Sequence, residues 1–490
     1  MRTAGVAFLF SMAVAAALTP AVRLFALRRG LLDHAISARK IHGKPIPRLG
    51  GIAIVGGFYA PLLGLLVYRT GLGFFLFADR ARLAGLLGGG LAIAALGLVD
   101  DLRGLGAPLK LLVQLSIALC LYQLGFRIEH FATPWGAPVP LGVLSLPFTL
   151  LWMTGVVNAM NLIDGLDGLA GGVALFALGT TFSIAFFRGE PIMALFAAAL
   201  AGSVSGFLFY NFNPASIFMG DTGSMFLGFV LAASSIWTNQ KSSTAVAILV
   251  PVVALGLPIA DTLLAIIRRA LRGRPLFSAD REHIHHRLLA LGLSQRQAVL
   301  VLYATCGVLG SAALLLSFAN SAQTAVVLSA LSLVGFFAVR RLGLLRAPAT
   351  PEPGPSPRAL VRALAAPLQR AATQGELWDA VKPLLPALGL AQLQLSLSAV
   401  RESGERVTTL FQLDGGRAGR TPFHASFAIG DDRGRVELGW DDGRASLPRD
   451  DEIAVEVLCD HLAAALARLD GPRAAPQALA AVIPLSRQKQ

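Results

Sequence analysis

Cysteine, charge and acid are what this 490-residue chain has little of. Three cysteines, Cys120, Cys306 and Cys459, stand far apart, odd in number and with no CxxC pair, which excludes a disulfide framework and a cysteine-ligated zinc site. Charged residues make up only 14%, against about 25% in an average soluble protein. With 54% hydrophobic residues and a mean hydropathy of +0.64, an ordinary soluble chain is excluded and a polytopic membrane protein is indicated. Acids are scarcer than bases, 29 against 42, for a net charge of +13. Taken alone, that balance suits nucleic acid or an anionic membrane surface. In a chain this apolar the excess is largely topological, holding loops on the cytoplasmic side, and no nucleic-acid partner is expected. No internal repeat at a solenoid period is present.

What is abundant is apolar runs of about 20 residues, the length of one bilayer crossing. Hydropathy places eleven of them near 5–21, 50–68, 82–99, 107–124, 141–158, 169–187, 191–210, 223–237, 244–267, 298–318 and 322–339. The first could pass for a signal peptide, but its basic start is only Arg2, and Arg23, Arg28, Arg29, Arg39, Lys40, Lys44 and Arg48 follow it. Those positives put the next loop in the cytoplasm and the N-terminus outside.

Counting crossings from there brings four polar clusters to one face: Asp100-Asp101, Asn158 to Asp167, Asp221, and His283 to His286. Charge at membrane depth is costly and usually functional, and gathered acids suggest metal and phosphate chemistry. The shared face depends on the crossing count between Arg127 and Lys241, where loops are short and charges few.

After the eleventh run, the proline-rich stretch APATPEPGPSP marks a domain boundary. The expected division is a membrane domain over 1–345, a linker over 346–358, a soluble α+β domain over 359–472 and a flexible tail over 473–490. In the soluble part, an arginine-bearing helix near 360–372 and a second over 376–388 precede strands at 392–400, 407–413, 423–429 and 435–440, several with a two-residue period. A terminal amphipathic helix covers 450–469. Helix, antiparallel strands, helix resembles a GAF-like domain in pattern only; no ligand-defining motif accompanies it, so scaffolding or dimerisation is the expected role.

The polar clusters differ in how much they specify. Two adjacent carboxylates, Asp100 and Asp101, repel unless a cation or strong donors face them, and a divalent metal with a phosphate is one solution. From the dipeptide alone, a solvated helix end meeting Arg103 or Arg48 is the simpler reading. Lys110 adds a positive charge at the same interface, where an anionic substrate needs one. Asn158, Asn161, Asp164 and Asp167 recur every three residues and line one face of a helix leaving the membrane. Interhelical hydrogen bonding would explain the asparagines, but two acids in the series favour function. Asp221 sits between Gly220 and Gly223, which admit a closely approaching ligand; it would also serve as an N-cap. His283, His285 and His286 lie at spacings of two and one among arginines, which suits a basic pyrophosphate-binding loop with Arg287 better than zinc. In RKIHGKPIPRLGG, topological charge explains part of the pattern, while the prolines and paired glycines suggest a shaped phosphate loop with Lys40, His42 and Arg48.

In this order, RKIHGKPIPRLGG, LVDDLRGL, NAMNLIDGLDGLAGG, FMGDTGSMFLG and DREHIHHRLLALGLS resemble the polyprenyl-phosphate N-acetylhexosamine-1-phosphate transferases, over about 39–293. The HIHHR form is similar to the bacterial UDP-N-acetylglucosamine:undecaprenyl-phosphate enzymes. The PxHHHxE form typical of phospho-N-acetylmuramoyl-pentapeptide transferases is absent, and so is the DGxxAR signature of CDP-alcohol phosphotransferases. Where some members read DDxxD, the third acid is here Gly104. The resemblance implies a bacterial plasma-membrane enzyme, with its site and C-terminal domain cytoplasmic, that moves a sugar 1-phosphate from a UDP-N-acetylhexosamine to undecaprenyl phosphate for cell-envelope polysaccharide synthesis. It implies magnesium, with manganese as the alternative ion, held by Asp221 with Asn161. It implies that Asp100 and Asp101 lie by the lipid phosphate and Asn158, Asp164 and Asp167 on the nucleotide-sugar side. Lys40, His42, Arg48, Lys110, His283, His285, His286 and Arg287 then fall on the phosphates. A homodimer is compatible with this reading. A transporter is the contrasting class, but its acids belong near the midplane.

Overall fold

Apolar runs bounded by glycine, proline and asparagine dictate a chain of helices, and a computed structural model of the protein has that form. It describes residues 2–33, 46–67, 79–131, 139–240, 249–271, 273, 283–343, 357–387, 390–400, 406–414, 423–430, 434–440 and 449–469. The chain divides into two compact units, one of residues 1–35 and 42–346, the other built from the chain after Arg346 together with 36–41.

The first unit contains α1 (Arg2–Arg28), α2 (Gly51–Val67), α3 (Arg80–Arg103), α4 (Ala107–Gln123), α5 (Ser145–Ile163), α6 (Leu169–Arg188), α7 (Pro191–Asn211) and α8 (Gly220–Gln240). It continues through α9 (Leu249–Ala254), α10 (Gly256–Leu271), α11 (Ile284–Ala290), α12 (Gln295–Leu316) and α13 (Ser321–Arg341). Two short antiparallel hairpins, β1 (Leu32–Asp33) with β2 (Ile46–Pro47) and β3 (His130–Phe131) with β4 (Val139–Pro140), join helices. Among the described residues, seven helices are long and apolar enough to cross a membrane, α1, α3, α5 with its preceding 3-10 turn, α6, α7, α12 and α13; two shorter apolar ones cover Gly51–Leu65 and Ala107–Gln123. The expected crossing at 244–267 is not one helix. It breaks between Ala254 and Gly256 because Pro258, four residues beyond Ala254, has no N–H for that carbonyl.

Helix α8 runs through the middle of this core. Its Phe226 and Trp237 meet Phe58, Phe126 and Phe196 edge-on or tilted, with ring centroids 5.5–5.9 Å apart. Close approach elsewhere relies on small residues, as in other membrane bundles. A Cβ added at Gly202 of α7 would lie 2.1 Å from the Phe8 carbonyl oxygen of α1.

The second unit follows the two-residue period of its strands. β5 (Gln392–Val400), β6 (Arg406–Asp414), β7 (Phe423–Ala428) and β8 (Gly434–Trp440) form an antiparallel sheet in the order β6-β5-β8-β7, so each expected strand is present to within about a residue at either end. Leu393, Leu395 and Leu397 alternate onto one face and are buried with Val436, Leu438 and Trp440. The helices α14 (Pro357–Arg370), α15 (Gln374–Val381), α16 (Leu384–Ala387) and α17 (Arg449–Leu469) supply the rest of this core. Arg468 ties α17 to α14 by donating to the carbonyl oxygens of Gln369 and Leu368 at 2.6 and 3.0 Å. Most of the proline-rich linker and all of 473–490 lie outside the described residues.

Candidate active site

The two adjacent acids at the end of α3 are tolerated because they face different partners. Asp100 accepts the Leu105 N–H on one oxygen, and its other oxygen pairs with Lys110 Nζ at 2.8 Å. Asp101 turns instead to the start of α8, where it accepts the backbone N–H groups of Asp221 and Thr222 at 2.9 and 3.0 Å and the Thr222 hydroxyl at 2.6 Å. A carboxylate that satisfies the orphan donors of a helix start, at its positive end, is a cap supplied from another helix. Asp221 is therefore not the cap of its own helix, one of the two roles its sequence position allowed.

Released from capping, Asp221 points its oxygens elsewhere. One lies 3.1 Å from Lys110 Nζ, so a single ammonium is held between Asp100 and Asp221. The other accepts from Asn161 Nδ2 at 2.9 Å, and the same nitrogen donates to Ser224 Oγ at 3.0 Å. Gly220 makes this arrangement possible. Its φ of +72° is a left-handed conformation, and a Cβ there would lie 2.2 Å from the Arg48 carbonyl oxygen and 2.7 Å from Asp101.

The loop carrying Arg48 is threaded alongside. The Phe218 N–H donates to the Pro47 carbonyl oxygen at 2.7 Å, while Gly50 and Gly51 donate to the Phe218 and Met219 carbonyls at 2.9 and 2.8 Å. This places the Arg48 charge within electrostatic reach of Asp101. Lys40 and His42 lie outside the described residues.

The expected polar face of α5 divides. Asn158 donates to Gln114 Oε1 of α4 at 2.6 Å and to the Thr154 carbonyl at 2.7 Å, an interhelical tie. Asn161 reaches Asp221. The helix then ends at Ile163 with Asp164 as its C-cap, so Asp167 falls in the following turn and does not continue the helical series. There it is buried, and one oxygen accepts from Asn213 Nδ2 and the Ala215 N–H, both at 3.0 Å. The part-buried Asp164 carboxyl is pushed up to about 8, first by desolvation and then by the negative charges of Asp221, Asp101 and Asp167.

The histidine segment closes on this turn. A Cβ on Gly165 would lie 2.5 Å from His285 Nε2, so glycine lets the ring pack directly on the backbone beside Asp164. The His283 and His285 rings are parallel within 4° at 5.8 Å, and the His286 ring is 4.3 Å from that of His285. Burial, reinforced by His286, pushes the His285 imidazole down to about 3, so that ring is neutral at physiological pH. Arg287 occupies the last turn of α11.

Asp261, which contacts His283, belongs to none of the sequence clusters. An acid inside the apolar run of α10 was the available signal, because a carboxylate at that depth needs a reason to be there. Thr222 and Ser224 also join the network without a sequence signal, since single hydroxyls in an apolar helix carry no pattern.

Among the described residues, no three His, Cys, Asp or Glu side chains make a self-sufficient chelating group. Magnesium does not require one: it takes one or two protein carboxylates and completes its shell with water and substrate phosphates. Asp100 and Asp221 already converge on one cationic group, and burial first, then the negative charges of Asp221, Asp101 and Asp167, favour the protonated form of Asp164. That oxygen-donor set fits a divalent cation.

The family model for glycosyl transferase family 4 matches residues 83–239, which include both α3 acids, the α5 face and Asp221. The chain is 41% identical over 299 residues to a "Probable undecaprenyl-phosphate N-acetylglucosaminyl 1-phosphate transferase" of Bacillus subtilis (strain 168), covering 61% of this chain and 80% of the relative. A decaprenyl-phosphate N-acetylglucosaminephosphotransferase of Mycolicibacterium smegmatis is 38% identical over 348 residues, 66% of this chain and 84% of the relative. A phospho-N-acetylmuramoyl-pentapeptide-transferase of Staphylococcus aureus (strain MSSA476) is 31% identical over 278 residues, 53% and 81%.

Proposed function

Because this chain belongs to glycosyl transferase family 4, we propose that it transfers N-acetylglucosamine 1-phosphate from UDP-N-acetylglucosamine to undecaprenyl phosphate, releasing UMP and initiating a cell-envelope polysaccharide. The observation that carries the reading is the convergence of Asp100 and Asp221 on Lys110 at 2.8 and 3.1 Å, with Asn161 on Asp221. It provides oxygens suited to a cation and a positive charge side by side, which a diphosphate needs.

In this reading, an oxygen of the lipid phosphate forms a bond to the sugar-bearing phosphorus, and the bond from that phosphorus to the bridging oxygen breaks. The electron pair leaves with UMP. A phosphate monoester with a second pKa of about 6 is already mostly dianionic at neutral pH, so positioning and charge balance outweigh proton abstraction. Asp221 would hold magnesium, with Asn161 and Asp100 beside it; the ion, when bound, neutralises the diphosphate and the charge that develops on the leaving group. Lys110 and Arg48 bind phosphate oxygens, and Asp100 orients the lipid phosphate. Asp164 borders the nucleotide-sugar side, and the imidazoles with Arg287 flank the diphosphate. Asp101 acts indirectly, by holding the helix that carries Asp221.

The same reading places the protein in a bacterial plasma membrane with up to eleven crossings, the site and the C-terminal domain cytoplasmic. That domain serves as a GAF-like scaffold or dimerisation module. The test is incorporation of labelled UDP-sugar into butanol-extractable lipid by the purified protein, with UMP release, across a small panel of UDP-amino sugars and with or without magnesium. Incorporation from UDP-N-acetylglucosamine supports the proposal. Preference for UDP-N-acetylmuramoyl-pentapeptide would reassign the substrate, and intact sugar crossing liposomes without lipid product would make the protein a transporter.

A further inference from the structure

Asp261 is 2% exposed within α10, and both of its oxygens are taken by the histidine segment. One lies 2.8 Å from His283 Nδ1, and the other accepts the Ile284 N–H at 2.8 Å, where α11 begins. A buried carboxylate is costly unless it is paired and hydrogen-bonded, and these two contacts meet that cost. They also have a chemical consequence. An ionised carboxylate can only accept, so the contact puts a proton on Nδ1 of His283 and makes Nε2 the nitrogen that remains for other partners.

From His283 the arrangement continues to the other two histidines. Its ring lies parallel to that of His285, the His285 ring packs on Gly165 beside Asp164, and His286 leans on His285. The backbone contact to Ile284 sets where this short helix starts, and the side-chain contact sets how its first ring is turned. We infer that Asp261 is a positioning residue for the transfer reaction: it fixes the tautomer of His283 and the start of α11, and so holds the three imidazoles against the turn that bears Asp164. The inference rests on the transferase reading. A carboxylate that orients a histidine in this way has a large kinetic effect without touching substrate.

The competing possibility is that Asp261 merely anchors the fold, and Asp261→Asn separates the two. The carboxamide oxygen still accepts from Ile284, but the NH2 group now donates to His283 Nδ1 and moves the imidazole proton to Nε2. In the full-length chain labelled with 15N-histidine, with the His283 signals identified by their loss in His283→Gln, the wild type should show the Nδ1–H form and Asp261→Asn the Nε2–H form. Asp261→Asn should lower kcat by about 100-fold or more, with KM for the UDP-sugar within about threefold and the melting temperature little changed. The Asp261→Asn, His283→Gln double variant should be no slower than His283→Gln alone, because one residue acts through the other.

Near-normal turnover in Asp261→Asn, or a double variant slower than His283→Gln by the full single-variant factor, would overturn the inference. Should Asp261→Asn not fold, the wild-type tautomer decides: Nδ1–H supports it and Nε2–H sinks it. A wild-type protein that releases no UMP from any UDP-amino sugar defeats the transferase reading, while the tautomer measurement still tests the Asp261 to His283 link by itself.

Discussion

The two units bury different things. Among the described residues, every buried aspartate, arginine and histidine, namely Asp167, Asp261, Arg268, His283 and His285, lies in the first unit. The second unit buries Leu393, Leu395, Leu397, Leu438, Trp440, Leu458 and Leu462, and among its described residues no charged side chain is buried. Hydrophobic burial alone is enough to close a small sheet-and-helix domain. Interior carboxylates and imidazoles have to be paired one by one, and that cost is met where groups must be held for chemistry. The difference matches the proposed division, in which the first unit carries the chemistry and the second serves as architecture.

Asp221→Ala is the largest test of that division. Loss of the acid at the centre of the network should reduce UMP release by at least about 100-fold while the melting temperature stays close to wild type. Near-normal activity in this variant would mean that the cation assignment is wrong.

A pH series sharpens the same point. Asp164, raised from its ordinary 3.8 to about 8, carries a proton at neutral pH in the metal-free protein. Cation binding beside it must expel that proton, so apparent magnesium affinity should rise between pH 6 and 8, by at most about tenfold per unit, and then level off. Calorimetry in buffers of different ionisation enthalpy should register the released proton. The stability sign runs the other way: between about 4 and 8 the folded metal-free chain holds a proton that the unfolded chain has lost, so it should become less stable as pH climbs.

Within the first unit, Asp100 and Asp101 should separate chemistry from support. Asp101→Asn places an NH2 group against the donors at the start of α8 and should cost about 1–3 kcal/mol of stability, read by thermal melting, with a secondary loss of turnover. Asp100→Asn should show the reverse pattern, low turnover with little change in melting.

The smallest expected effect on activity comes from the second unit. Trp440→Ala empties a core position that is 1% exposed and should cost that domain about 3–5 kcal/mol. Near-ultraviolet circular dichroism should report its unfolding while UMP release is retained. Lost turnover would break the division and give the C-terminal unit a part in catalysis.

Much of the candidate site is legible in the sequence. Asp100, Asp101, Asn161, Asp164 and Asp221 come from three helix ends, and counting apolar runs already brought those ends to one face. The strands of the second unit were legible as well, because alternation along 392–400 marks a half-buried strand directly. What was not legible was direction. Asn158 and Asn161 look equivalent in a three-residue series, yet one ties α5 to α4 and the other reaches Asp221. The series also overran the helix, because sequence spacing does not register that Gly165 follows the C-cap.

The sequence by itself determined that this is a membrane chain with an apolar-periodic appendix, and that acids, asparagines and histidines cluster at one end of its helices. Hydropathy and periodicity are local properties, each read from one stretch of chain. Only the tertiary structure decided what each polar atom faces: Asp101 the start of a helix, Asp100 and Asp221 a shared lysine, Asp261 a histidine. Hydrogen bonds and ion pairs act over about 3 Å, and residues 10 to 121 positions apart in sequence reach that distance only through the packing of whole helices.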